Sequence, residues 1–227
     1  MTPEILAGLL DARAAGRAVV LATRLPDGLQ YVLPDQAAPA ALQLAASDAL
    51  GRDSDRAVEI GSERWFLAVH APAYRLMIVG AVHIAQALAP LAAAVGLAVT
   101  VVDPRRGFAT AERFPDSVLN AGWPDEAVES LAPDARTAVV ALSHDPKLDD
   151  PGLDRALRSS AFYIGALGSR KSHAARLERL AALGHAPEVL ARIHGPVGLP
   201  IGAVTAPEIA VSILADIIAT RRGGPRR

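Results

Sequence analysis

The chain has 227 residues, 51% of them hydrophobic and 21% charged, with a formal net charge of −1 and no cysteine. That is enough apolar chain for one large domain, or a medium one with a small companion, and a charge this close to zero argues against a general nucleic-acid or membrane-surface binder. The missing cysteine excludes a disulfide framework, a cysteine-ligated zinc site and a cysteine nucleophile. At the N-terminus, Glu4, Asp11 and Arg13 interrupt the apolar run, unlike a signal peptide, and no stretch of about 18 uninterrupted apolar residues exists to span a bilayer. A soluble, cytoplasmic protein is expected.

Residues 3–15 read as a helix stopped by Gly16. AVVLAT (18–23) and LQYVL (29–33) read as strands around a Pro26-Asp27-Gly28 turn, and residues 39–50 as a helix. RAVEI and RWFLAVH, separated by Gly61-Ser62, form a second hairpin. The expected product is a small α+β domain over residues 1–72, with HAPAYR as the linker that follows. From residue 76 the pattern changes. LMIV, LAVTVVD, SVLNA, TAVVALS and AFYIGA are short apolar runs, and helical stretches separate most of them: HIAQALAPLAAAVG, a short helix near 125–131, and LDDPGLDRALRS. SRKSHAARLERLAALG follows as an amphipathic helix. Apolar strands alternating with helices predict a parallel sheet covered on both faces, the α/β class, here a Rossmann-like doubly wound sheet over 73–227. The final helix opens at Thr205, with Glu208 at capping-box spacing and Pro207 in the first turn. The basic tail, Arg221, Arg222, Arg226 and Arg227, reads as a solvated, frayed terminus.

In such a sheet, ligands sit outside the carboxyl ends of the strands, near the point where strand order reverses. Gly80-Ala81-Val82-His83 follows the first strand. Gly80 suits the tight turn, and the helix start offers amides to an anion. Val82 stands where the dinucleotide fingerprint has its second glycine, and its branched side chain narrows the approach of a pyrophosphate. The stretch is read as a phosphate-approach turn with one compromised contact. Asp103, 23 positions beyond Gly80, is spaced to meet a ribose hydroxyl, or to cap a helix or pair with Arg105 or Arg106. Ser143-His144-Asp145 follows TAVVAL. His144 is a candidate proton donor, metal ligand or hydrogen-bond donor, and Asp145 alternatively a helix cap. After AFYIGA, Gly165 and Gly168 flank a turn into Ser169-Arg170-Lys171. Cations at a helix N-terminus oppose its dipole, which points to an anion held there by both. The glycine- and proline-rich stretch His194–Gly202 reads as a rigid connector forming a wall of the cleft.

Taken in order, VGAVHIAQALAPLAAAVGLAVTVVDPR, FATAERFP, ALSHDPKLDD, YIGALGSRKSHAARLERL and GPVGLPIGAVTAPEIAVSILADIIA resemble the XdhC/CoxI family, the xanthine dehydrogenase accessory proteins. The resemblance implies a C-terminal Rossmann-like domain and a chaperone role: transient binding of the molybdenum cofactor, as molybdopterin or its dinucleotide form, and its insertion into an apo molybdenum hydroxylase of the xanthine or carbon monoxide dehydrogenase type. By that match Gly80, His83, Asp103, His144, Asp145, Gly165, Ser169 and Arg170 line the cleft. A cofactor-sulfurating enzyme, a longer paralogue and a second copy of the chain are the other candidate partners. The family usually has glycine at the Val82 position, and many members carry an N-terminal cysteine, so a thiolate hand-off by this chain is excluded. Two other classes stay open: an NAD(P)-dependent oxidoreductase using the same cleft with His144 as acid or base, and a scaffold that has lost its nucleotide site.

Overall fold

The computed structural model describes residues 1–224. The chain groups into two compact units, one spanning Met1–Pro72 and the other starting at Ala73. In the first, α1 (Pro3–Ala14) is followed by β1 (Val19–Leu25), β2 (Gln30–Leu33), α2 (Ala40–Arg52), β3 (Arg56–Ile60) and β4 (Glu63–His70). Thr2 caps α1 by accepting from the Ile5 N–H, and Gly16 takes the positive φ that ends it. The strands form an antiparallel sheet in the order β2-β1-β4-β3. Strand alternation gathers Val20, Ala22, Trp65 and Leu67 on one face, where Leu42, Ala46 and Ala49 of α2 cover them.

The second unit runs β5 (Arg75–Val79), α3 (His83–Ala94), β6 (Ala98–Val102), β7 (Val118–Asn120), α4 (Pro124–Leu131), β8 (Thr137–Ala141), α5 (Pro146–Leu157), β9 (Tyr163–Ala166), α6 (Arg170–Ala182), α7 (Pro187–Leu190), β10 (Ile193–His194) and α8 (Ala206–Arg222). All six strands are parallel, in the order β10-β9-β8-β5-β6-β7. Counted from β5 this is the 3-2-1-4-5-6 order of a doubly wound sheet, and the order reverses between β5 and β8. The apolar strands explain the two covers. Leu76, Ile78, Val99, Val101, Ala138 and Val140 face α3 and α8. Their alternates Met77, Val79, Val139, Ala141 and Ile164 face α4, α5 and α6.

Register places the carboxyl ends of the central strands level. Val79 pairs with Val102 on one side and Ala141 on the other, and Ala141 with Ala166. The turns after β5, β6, β8 and β9 therefore open at one height. The expected capping box is present at Thr205 and Glu208. The tail expectation needs correcting: α8 continues through Arg221 and Arg222, and the Arg221 guanidinium lies 5.0 Å from the Tyr74 ring centroid. Arg226 and Arg227 lie outside the described residues. No helix among the described residues is long and apolar enough to cross a membrane.

Candidate functional site

At the switch point the β5–α3 and β8–α5 turns touch. Gly80 has φ +102, and a Cβ there would stand 2.8 Å from the Ser143 backbone nitrogen. Glycine is thus required by the neighbouring backbone as well as by the turn. The next N–H, that of Ala81, donates to Asp103 Oδ2 at 2.8 Å. Asp103 is fully buried. Its Oδ1 accepts from the Arg105 backbone N–H and Nε, both at 2.9 Å, and Oδ2 accepts from Arg105 Nη2 at 2.7 Å. Burial pushes this carboxyl up, but the guanidinium and the two N–H donors outweigh it and hold it below the usual carboxylate range. Both oxygens are engaged, so a ribose diol reaching Asp103 has to compete with Arg105. Val82 has extended backbone and packs half-buried against the core under α3. His83 is exposed.

In the β8–α5 turn, Asp145 caps α5 by accepting from the Lys147 N–H at 3.0 Å. His144 is exposed and takes φ +62, the left-handed region that few non-glycine residues enter. Ser143 gives its N–H (3.1 Å) and its hydroxyl (2.6 Å) to Asp149 Oδ1.

The β9–α6 turn differs in its charge. Gly168 has φ +143, and a Cβ there would meet Ser172 Oγ at 2.5 Å. Ser169 caps α6 by accepting from the Ser172 N–H at 3.1 Å. Arg170 and Lys171 are exposed at the helix start, where the first N–H groups lack partners within the helix. Behind the turn, Arg176 Nη2 donates to the Leu167 carbonyl at 2.9 Å. Gly165 lies within the sheet, and the space a Cβ would take is filled by Val197 and Tyr163.

The structure thus joins Gly80, Ser143, Ala81 and Asp103 at the switch point. It sets Ser169 and Arg170 on a neighbouring turn and keeps Gly165 as packing. Sequence reasoning missed Asp149, Asp150 and Arg176. All three are buried. A signal was present: Arg176 precedes Leu180 by four residues, on the inward stripe of α6. Another missed group is the Asp216 carboxylate, which accepts from the Tyr163 hydroxyl at 2.8 Å and lies 3.1 Å from His194 Nδ1.

Comparison with known families matches residues 76–217 to the XdhC Rossmann domain. YqeB of Escherichia coli is 35% identical over 79% of this chain and 32% of its own length. The molybdenum cofactor insertion chaperone PaoD of the same organism is 37% identical over 66% of this chain and 41% of its own. A Bacillus subtilis protein described as a probable xanthine dehydrogenase component is 35% identical over 66% of this chain and 44% of its own. The chain therefore spans less than half the length of each of these curated relatives. The crystal structure of a xanthine dehydrogenase from Bacillus halodurans shares the fold at a TM-score of 0.72 and 24% identity, covering 98% of this chain and 65% of that one.

Proposed function

The chain belongs to the XdhC Rossmann-domain family, and from that membership we propose that it binds the molybdenum cofactor and delivers it to an apo molybdenum hydroxylase. The observation that carries the reading is the 37% identity to a protein named as a molybdenum cofactor insertion chaperone. The donor set fits the anionic end of such a cofactor. The β9–α6 turn offers the N-terminal end of a helix, the Arg170 and Lys171 side chains, and Arg176 buried behind it, all suited to phosphate oxygens. The cofactor, when bound, carries the redox metal that the target enzyme lacks. This chain's residues hold and orient it: Ser169 fixes the helix start, Arg170 and Lys171 neutralise phosphate charge, and the β5–α3 and β8–α5 turns wall the crevice. In this reading the exposed His144 hydrogen-bonds the organic part and carries no turnover.

Titration of the purified protein with isolated molybdenum cofactor, beside NAD and NADP, tests the reading. Micromolar affinity for the cofactor is expected, falling at least about tenfold in Arg170→Glu, a loss of about 1.4 kcal/mol. Binding of NAD or NADP alone would instead identify a nicotinamide-dependent oxidoreductase. Binding of none of the three would leave a scaffold.

A further inference from the structure

Asp149 and Arg176 lie beneath both turns that carry the polar candidates. Asp149 Oδ1 holds the N–H and hydroxyl of Ser143. Its Oδ2 accepts no hydrogen bond among the described residues and stands 3.6 Å from Arg176 Nη2. That same Nη2 donates to Leu167, the residue before Gly168. A line of contacts, Ser143–Asp149–Arg176–Leu167, therefore runs from the β8–α5 turn to the β9–α6 turn. The side chains of Asp149 and Arg176 are 1% and 5% exposed.

A pair buried this deeply for stability alone is expected to close, with hydrogen bonds near 2.8 Å and every donor satisfied, because desolvation otherwise exceeds the attraction. This pair is open. Arg176 Nε and Nη1 have no hydrogen-bond partner among the described residues, and Nε stands 3.9 Å from Asp150 Oδ1. Asp150 is itself held by Arg179. Burial pushes the Asp149 carboxyl up, against the Ser143 hydrogen bonds and the Arg176 charge. It pushes the Arg176 guanidinium down. An under-satisfied guanidinium behind an anion-seeking turn is poised between two negative partners.

We infer that Asp149 and Arg176 are positioning residues linking an anion of the phosphate class on the β9–α6 turn to proton uptake at Asp149: the anion draws the guanidinium toward the turn, and Asp149, losing its counter-charge, takes one proton from solvent. The balance is simple. A carboxylate and a proton become a carboxylic acid, the anion supplies the negative charge Arg176 gives up, and no covalent bond changes. Ser143 keeps an acceptor on Oδ1 throughout, so the β8–α5 turn stays anchored. The charged and titratable groups around Asp149 are Arg176 and Arg179 from α6, Asp150 beside it, His144 and Asp145 from the preceding turn, and Arg105 after β6. His173, on the same stripe of α6, has its imidazole pKa pushed down by burial and by the Arg176 charge. The inference rests on the anion site of the proposed function.

Sulfate is the probe, since it does not titrate near neutral pH, with pyrophosphate as the larger analogue. Calorimetry in two buffers of different ionisation enthalpy counts protons. The native protein is expected to bind sulfate with net uptake of up to one proton and with affinity rising as pH falls. Asp149→Asn, which keeps an acceptor for Ser143, is expected to bind with no uptake and no such pH dependence. The Asp149 carboxyl ¹³C shift in the unsubstituted protein gives the same answer without a variant: sulfate should move its titration to higher pH. Binding without uptake, uptake unchanged in Asp149→Asn, or an unmoved carboxyl titration overturns the link while the anion site stands. No sulfate or pyrophosphate binding by the native protein removes the site itself, and both claims with it.

Discussion

Two strand-to-helix turns at one end of the same sheet, β5–α3 and β9–α6, have the same layout of apolar strand, glycine and helix. They differ in what their amides and charges already serve. At β5–α3 the Ala81 amide is taken by the buried Asp103 carboxylate, and the space beside Gly80 by the Ser143 backbone. An internal anion sits where a ligand's would. At β9–α6 no carboxylate caps the helix: Ser169 does so with a neutral hydroxyl, and three cations surround the turn, one of them buried. The turn closer to a dinucleotide fingerprint in sequence is thus the more self-satisfied, and the less familiar one, with its cations, is the one we propose as the anion site.

Substitutions can break or sharpen this contrast. The largest effect is expected at Gly80. Gly80→Ala drives a Cβ into backbone at 2.8–2.9 Å and should cost about 3 kcal/mol or more in urea unfolding, with no rescue from Ser143→Ala. Gly168→Ala comes closer than 3 Å only to the Ser172 hydroxyl, so its cost of about 1–2 kcal/mol should shrink, though not to zero at φ +143, when Ser172 is also alanine. Equal responses to the two rescues would erase the distinction. Asp103→Asn should come next, at about 1–3 kcal/mol, because it weakens a buried hydrogen-bonded pair. The sign with pH follows from the depressed carboxyl. Its stabilisation is full above the unfolded value near 3.8 and is lost as pH falls through the lower folded value. Acid unfolding of Asp103→Asn should therefore lack that component. The smallest effect is expected at Val82. Its backbone needs no glycine and its side chain packs inward, so Val82→Gly should change NAD or pyrophosphate affinity by less than about threefold. A tenfold gain would restore the β5–α3 turn as the principal phosphate contact.

Much of the fold was legible because its signals are local and periodic. Continuous apolar strands announced a two-faced parallel sheet, and Thr205 with Glu208 announced the cap of α8. β10 was not legible: two residues, Ile193 and His194, carry no period, and only pairing with β9 makes them a strand. Of the candidate site, the turns could be found from where polar residues follow apolar runs. Asp149 and Arg176 were harder, because an acid near a helix start and an arginine in an amphipathic helix ordinarily read as solvated, and only the four-residue spacing of Arg176 to Leu180 hinted otherwise. What buries them is the packing of α5 against α6, a non-local fact. Arg221 likewise read as tail until α8 placed it over Tyr74.

The central claim, delivery of the molybdenum cofactor, is tested most directly by transfer. The protein loaded with cofactor is mixed with an apo molybdenum hydroxylase in the presence of a competing cofactor scavenger, and activation is compared with that by free cofactor at the same concentration. Loaded protein is expected to activate the apo-enzyme where free cofactor is lost to the scavenger, and Arg170→Glu to abolish the advantage. Activation no better than by free cofactor would contradict delivery.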